Sequence, residues 1–479
     1  MASVTALLAL AGMAGMAAGA TITTTEPSLA DIKAAQATTV PQTWTSNIEG
    51  KAFNRFYQIW LENVDFVDAA KDPNQKWLAK QGIELTNFYA VGHPSQPNYV
   101  ATASGDNYGM DNDDFHNIPA NVSTIADLLN TKGISYAEYQ EHLPYPGFQG
   151  FNYSNQETYA NDYVRKHSPL VSFESFTAND TALRLLKNFT SFYDDLHNKE
   201  LPQWAFITPN MTNDAHDTNI TFGSTWLRGF VEGLMNNTYF WDNTLLLLTF
   251  DETETYGVPY DEAYADQNRI FSVLLGGAVP KDLIGTKDST FYTHYSTIAS
   301  VEANWGLPSL GRWDCGANLL KLVADKVGYT NWDVDTTNLW LNESLPGPLS
   351  EDKLSHYRAS WPVPTTNATC SSGHGILKSV VDAYKHQAPT YNYTAPLPHD
   401  AAYGLDVNIP YSRHGTTYVT GVNSTGTIAF DKSSNSSATG SSSSSAHSST
   451  ATGNGAVSAS TVSAGLPVAA MVAALVNFL

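Results

Sequence analysis

Thr244-Leu245-Leu246-Leu247-Leu248-Thr249-Phe250-Asp251-Glu252 is an unbroken apolar run of strand length that stops abruptly in two acids. A strand without polar alternation is buried on both faces, as in a parallel sheet covered by helices on either side. The same grammar recurs outward from it, at Phe56–Leu61, Ile83–Ala90, Ile134–Tyr139, Trp204–Thr208 and Ile270–Leu275. Amphipathic stretches lie between these runs. One of them, Ser123 to Leu129, opens on a Ser cap and stops at Gly133. The pattern predicts an α/β core with a mostly parallel sheet and helices on both faces. No internal repeat is visible.

The core spans 54–328. Residues 21–53 read as an extended, Thr- and Ala-rich arm. From 329 to 430, Pro, Thr, Asn and Tyr dominate and periodicity fades, which reads as an irregular wrap over the core. Residues 431–454 form a Ser/Thr-rich stalk.

Both ends of the chain carry processing signals. Residues 1–20 are apolar and end in small residues, as a secretory signal peptide does. Residues 455–479 finish in an apolar tail without a charge, preceded by a spacer and the small residues Gly453-Asn454-Gly455. That order is a lipid-anchor signal, with Asn454 as the expected GPI attachment residue. The tail is shorter than the roughly 20 residues a membrane span needs. The predicted location is the outer face of the plasma membrane or the cell wall.

Asn-x-Ser/Thr sequons at Asn121, Asn152, Asn179, Asn188, Asn219, Asn236, Asn342, Asn367, Asn392, Asn423 and Asn435 fit the same route. A further sequon, at Asn210, falls beside the candidate site and is left out of the expected set. Cys315 and Cys370 are the only cysteines, and in an oxidising compartment they pair as one disulfide. The net charge of −21 and pI near 4.8 exclude a nucleic-acid partner and suit an acidic exterior.

Polar clusters follow the apolar runs directly. Leu61 gives way to Glu62-Asn63, Ala90 to His93-Pro94-Ser95-Gln96-Pro97-Asn98, Thr208 to Asn213-Asp214-Ala215-His216-Asp217, and Phe250 to Asp251-Glu252. Ligands of open α/β sheets bind outside the carboxyl ends of the strands, so these clusters predict one site. Glu62, Asn63, Asp251 and Glu252 offer hard oxygen ligands suited to a divalent cation such as Mg, Ca or Mn. Either pair alone is compatible with solvated loop acids; both at strand ends are what a site predicts.

Pro97 fits a first helical position, with Gln96 at the cap and Ser95 just ahead of the helix. The helix would aim free N–H groups at a phosphate, and Ser95 is the expected nucleophile. His216 is the expected general acid, its charged form favoured by the flanking Asp214 and Asp217. Asp214, His294 and His142 are candidates for contacting the substrate, and His93 is a weaker one.

In this order the segments resemble the phosphoesterase family that groups phospholipases C with acid phosphatases, within the alkaline-phosphatase-like superfamily. The resemblance is nearest to fungal secreted acid phosphatases. It runs from about Asn54 to Asn318 and includes Ser104-Gly105-Asp106-Asn107-Tyr108-Gly109 and Leu310-Gly311-Arg312-Trp313-Asp314. It implies that Glu62, Asn63, Asp251 and Glu252 hold a metal, with Ser95 as both ligand and phosphoserine-forming nucleophile. His216 would be the acid, oriented by an adjacent Asp, expected to be Asp217. The implied activity is hydrolysis of small phosphate monoesters. A phosphodiesterase or phospholipase C on the same scaffold is the alternative, and a non-catalytic surface glycoprotein the third reading.

Overall fold

A computed structural model describes residues 25–255, 267–351 and 360–421. The expected apolar runs are strands β1 (Arg55–Leu61), β2 (Ile83–Tyr89), β3 (Tyr136–Gln140), β5 (Trp204–Thr208), β6 (Thr244–Phe250) and β7 (Arg269–Leu275). Short strands β4 (Leu186–Asn188), β8 (Thr286–Asp288) and β9 (Tyr292–Thr293) complete a nine-stranded sheet. Its order is β8-β2-β7-β6-β1-β5-β3-β4, with β9 also on β2. Strand β1 lies at the centre, parallel to β5 and β6, with Phe56 opposite both Trp204 and Leu245.

The sheet is mostly parallel, but β7 runs antiparallel to β2 and β6. An apolar run specifies burial on both faces and says nothing of direction, so this reversal leaves no mark in the sequence.

The arm is not wholly extended. Helix α1 (Leu29–Thr38) forms inside it, capped by Ser28, whose Oγ accepts the Asp31 N–H. Four Ala residues in that stretch favour a helix once it is capped. Beyond α1 the arm is tied down through Gln203, whose Oε1 accepts from Ser46 Oγ and from the Ile48 N–H.

Three further helices place the site. Helix α2 (Ser95–Ser104) and helix α4 (His294–Trp305) are buried along their whole length. A helix buried all round belongs in an interior, and these two touch through Thr102 Oγ1 and Thr297 Oγ1 at 3.0 Å. Helix α3 (Ile220–Met235) follows the His216 segment and is capped by Asn219.

Among its described residues the wrap adds one helix, Lys378–Tyr384, and a small antiparallel sheet of Asp333–Val334, Pro410–Arg413 and Thr416–Val419. Cys315 and Cys370 form the expected disulfide. Closing their 55-residue separation is worth about 4 kcal/mol in the chain-entropy account.

Asn121, Asn179, Asn219, Asn236 and Asn367 are exposed, whereas Asn152, Asn188, Asn342 and Asn392 are half-buried. Asn210 is buried. Asn423, Asn435, Asn454, the signal peptide, the stalk and the anchor signal lie outside the described residues. No helix among the described residues is long and apolar enough to cross a membrane.

Candidate active site

The strand ends are stitched together by backbone hydrogen bonds. The Glu62 N–H donates to the Asp214 carbonyl at 2.9 Å, and the Asp251 N–H to the Leu61 carbonyl at 3.1 Å. Carboxylates that follow β1, β5 and β6 are thereby delivered to one edge of the sheet.

Ser95 arrives from β2. It is the first residue of α2, with Pro94 at the cap, so the helix starts two residues earlier than the Pro97 reading predicts. The Gln96 N–H, expected to face a phosphate, donates instead to Asp113 Oδ1 at 2.9 Å.

Glu62 is the hub. Its Oε2 accepts from Ser95 Oγ at 3.0 Å, and its Oε1 accepts from Tyr99 OH at 2.6 Å and meets His167 Nε2 at 3.0 Å. The other His167 nitrogen lies 3.5 Å from Asp214 Oδ2. Burial works to raise the Glu62 carboxyl, but the His167 charge and hydrogen bond outweigh it and hold it well below the usual range. Burial likewise works to lower His167, and Glu62 and Asp214 together raise it. Asp214 is pushed up to about 6, first by burial, against the opposing pull of His167.

Asp251 and Glu252 both face inward, which the end of the strand permits. Asp251 Oδ1 accepts the Glu252 N–H at 2.8 Å, while Oδ2 is buried without a hydrogen-bond partner. Glu252 Oε2 meets His93 Nδ1 at 2.8 Å and accepts from Asn98 Nδ2 at 3.2 Å. Burial, then Glu62, push both carboxyls well up. His93 is driven down to about 4 by burial.

Several carboxyls packed in one dry place, two of them (Asp214 and Asp251) with an oxygen that has no hydrogen-bond partner, call for positive charge. The donors are hard oxygens with one imidazole, a set that fits a divalent cation. Glu62, His167 and Asp214 offer ligand atoms all within 4.8 Å of one another, a group that could hold a metal.

The other expected residues lie at the rim or beneath. His216 Nδ1 is held by Asp217 Oδ1 at 2.8 Å, and its ring centre is 6.0 Å from that of His167. Asp214 serves His216 through the backbone only, accepting its N–H at 2.8 Å. Asn63 is half-buried and, with His216, borders a cleft of about 570 Å³ also lined by Asp68, Lys71 and Thr221.

His142 pairs with Asp162 at 2.7 Å and is not among the residues lining that cleft; the hydrogen bond raises its pKa. His294 is fully buried, stacks on Trp60, and bonds the Asp251 carbonyl through Nε2 at 2.7 Å. Burial lowers it to about 3, so it braces the strand end as a neutral ring.

Four site residues escape sequence reasoning: His167, Lys166, Tyr99 and Asp113. His167 and Lys166 sit on a short 3₁₀ turn (Arg165–His167), with no long apolar run before it. Thr208 Oγ1 at 3.1 Å and Gln140 Nε2 at 3.3 Å fix this turn by donating to the His167 carbonyl. The available signal was Arg165-Lys166-His167 itself, a basic triplet in a chain with 46 acidic and 25 basic residues.

The sequence profile of the Phosphoesterase family matches residues 21–308. An acid phosphatase of Aspergillus fumigatus is 63% identical over 397 residues, covering 83% of this chain and 87% of that one. A phosphate-repressible acid phosphatase of Penicillium chrysogenum is 56% identical, covering 85% of this chain and 96% of that one. Among solved structures, an alkaline-phosphatase-superfamily protein of Vibrio parahaemolyticus aligns with 57% of this chain and 73% of its own, at 13% identity and a TM-score of 0.36.

Proposed function

The chain belongs to the Phosphoesterase family, and from that premise we propose that it hydrolyses phosphate monoesters in acid through a phosphoserine on Ser95. The observation that carries this reading is the Ser95 hydroxyl donating to Glu62 Oε2 at the mouth of a buried, charge-deficient carboxylate cluster. Glu62, Asn63, Asp251, Glu252 and Ser95 would hold a divalent cation there, with His167 and Asp214 beside Glu62 as alternative ligands and Mg, Ca or Mn suiting the oxygen donors. Such a cation would make the hydroxyl easier to ionise and offset charge on the phosphoryl oxygens.

The chain's own residues supply the rest. Glu62 fixes the direction of the Ser95 hydroxyl and gives its proton a first acceptor. As the Oγ–P bond forms, the bond from phosphorus to the leaving oxygen breaks, and His216 donates the proton that alcohol needs. Asp217, on Nδ1, fixes the ring so that Nε2 is the donating nitrogen. Water then attacks the phosphoserine, inorganic phosphate leaves, and Ser95 regains its proton. Asp214 holds the His216 backbone, and His142 would contact the outer part of the substrate.

The reading extends to the whole chain. The first 20 residues direct secretion, exposed sequons carry glycans, and a lipid at Asn454 holds the enzyme to the outer surface of the membrane.

The test is a panel of monoesters and diesters assayed from acid to neutral pH, with wild type and Ser95→Ala, with and without chelator. Monoester turnover that disappears in Ser95→Ala, with acid-trapped phosphate mapping to Ser95 in wild type, is the expected result. Diester turnover alone, or undiminished turnover in Ser95→Ala, overturns it.

A further inference from the structure

Lys166 and Asp113 stand at the entrance of α2, and neither has a part in the reaction as derived. Lys166 Nζ lies 3.4 Å from Ser95 Oγ and 3.0 Å from Asp113 Oδ2. The other oxygen of Asp113 accepts the Gln96 N–H. One carboxylate therefore bridges an ammonium group and a backbone amide in the first turn of a helix, beside the attacking hydroxyl.

Those two donors are what a phosphoryl dianion takes up on reaching Ser95. An ammonium group supplies charge-assisted hydrogen bonds, and a first-turn amide adds a donor backed by the helix dipole. A carboxylate spans two such donors much as two phosphoryl oxygens do, but with one negative charge instead of two.

The two side chains differ in their freedom. Lys166 is only 16% exposed and faces the Glu62 side of the cluster, whereas Asp113 is 29% exposed and has solvent to retreat into. When a dianion arrives, the side chain that can yield is Asp113.

We propose that Lys166 is a catalytic residue that binds the phosphoryl group delivered to Ser95, and that Asp113 is the positioning residue that holds Lys166 and gives way to substrate. The proposal rests on the reading of Ser95 as nucleophile. It has a signature in sign. Lys166 is an attractor for phosphate, so losing its charge weakens binding. Asp113 is a built-in competitor, and a competitor that occupies the site lowers apparent affinity in proportion to its occupancy. Losing its charge therefore strengthens binding. Two residues serving only to shape the loop would move affinity in the same direction.

The experiment measures inhibition by inorganic phosphate with nitrophenyl phosphate as reporter, in wild type, Lys166→Gln and Asp113→Asn. A charge-assisted hydrogen bond converts to roughly 10- to 100-fold in affinity, so the inhibition constant should rise by that factor in Lys166→Gln. In Asp113→Asn it should fall severalfold. Lys166→Arg, which keeps the charge, should stay nearer to wild type and serves if the Gln variant does not fold. An unchanged constant in folded Lys166→Gln, or a rise in Asp113→Asn, overturns the proposal. Calorimetric titration of phosphate into Ser95→Ala, with and without Lys166→Gln, separates the two layers. Binding that ignores Lys166 there defeats this proposal, while persistent turnover by Ser95→Ala defeats the reading beneath it.

Discussion

Both ends of helix α2 run into buried charge. At its C-terminal end, Gly105 turns left-handed at φ 79°, and a Cβ there would stand 2.5 Å from Asp314 Oδ1. Arg312 is buried beside it and donates to the carbonyls of Ser104 at 2.9 Å and Ser123 at 3.0 Å. Asp314 accepts the N–H groups of Arg312 and Leu310 and the hydroxyl of Ser309. Burial lifts Asp106 to about 6, and burial followed by Asp314 pushes Glu302 well up.

At the N-terminal end the acids are as deeply buried, yet Asp251 retains an oxygen without a partner and Lys166 is shared among several carboxylates. The C-terminal end has its own guanidinium and amides around Asp314, although both Glu302 oxygens are also buried without a hydrogen-bond partner; the N-terminal end sets the Ser95 hydroxyl and the Lys166 ammonium among its acids. Burial of acids marks neither end as functional. Unpartnered oxygens occur at both, so what separates them is the hydroxyl and ammonium set among the acids of the N-terminal end.

The comparison is most exposed at Asp251. Asp251→Asn and Glu62→Gln should lower activity by roughly 10⁴-fold, because a cation's charge is worth several kcal/mol at the reacting phosphorus. Bound divalent metal, read by elemental analysis, should fall with it. Full activity after exhaustive chelation would place the two ends of α2 in the same class.

The rim is the next point of attack. His216→Asn should cost alkyl phosphates roughly 10²–10³-fold, the lower part of the range for a lost general acid, and nitrophenyl phosphate much less. Equal losses on both substrates would detach His216 from proton transfer.

Arg312→Met tests the opposite end. Removing one partner from a buried charged network costs about 3–5 kcal/mol, so the melting temperature should drop clearly. Metal content and turnover per folded molecule should stay within about twofold of wild type. A loss of metal in this variant would mean that the two clusters act as one.

The smallest expected effect concerns Glu138, which supports the His167 turn by accepting from Ser168 Oγ and the Leu170 N–H at 2.6 Å. Burial raises it from 4.5 to about 7. The folded state therefore keeps a proton that the unfolded state gives up, and this contribution to stability is full below pH 4.5 and fades as pH climbs to about 7. Glu138→Gln should flatten the fall in stability across that window, as followed by denaturant midpoints at several pH values. An unaltered slope would move the pH dependence to other acids.

The core strands and the acids behind them were legible because burial on both faces demands apolar runs, and polar residues at their ends interrupt them sharply. Asp251-Glu252 after Phe250 is the plainest case. The direction of β7 was not legible, since apolar side chains pack alike either way. Lys166 and His167 were missed because their turn is shaped by hydrogen bonds from Thr208 and Gln140, far off in sequence. Ser104–Gly109 and Leu310–Asp314 were part of the family resemblance too, and their residues lie in the cluster at the other end of α2.

The place of β1 in the sheet has a consequence for synthesis. Its hydrogen-bonding neighbours begin at Trp204 and Thr244, so the first central strand to be made waits for most of the core before it can pair. At about 5–20 residues per second, that interval lasts roughly ten to thirty seconds. Throughout it an apolar strand is exposed with both edges open, a template for pairing with other chains. The sequons at Asn121, Asn152, Asn179 and Asn188 lie in the stretch made during that wait. Sugars added there would be in place before the sheet forms, and would help keep the unfinished chain apart from its neighbours while β1 waits.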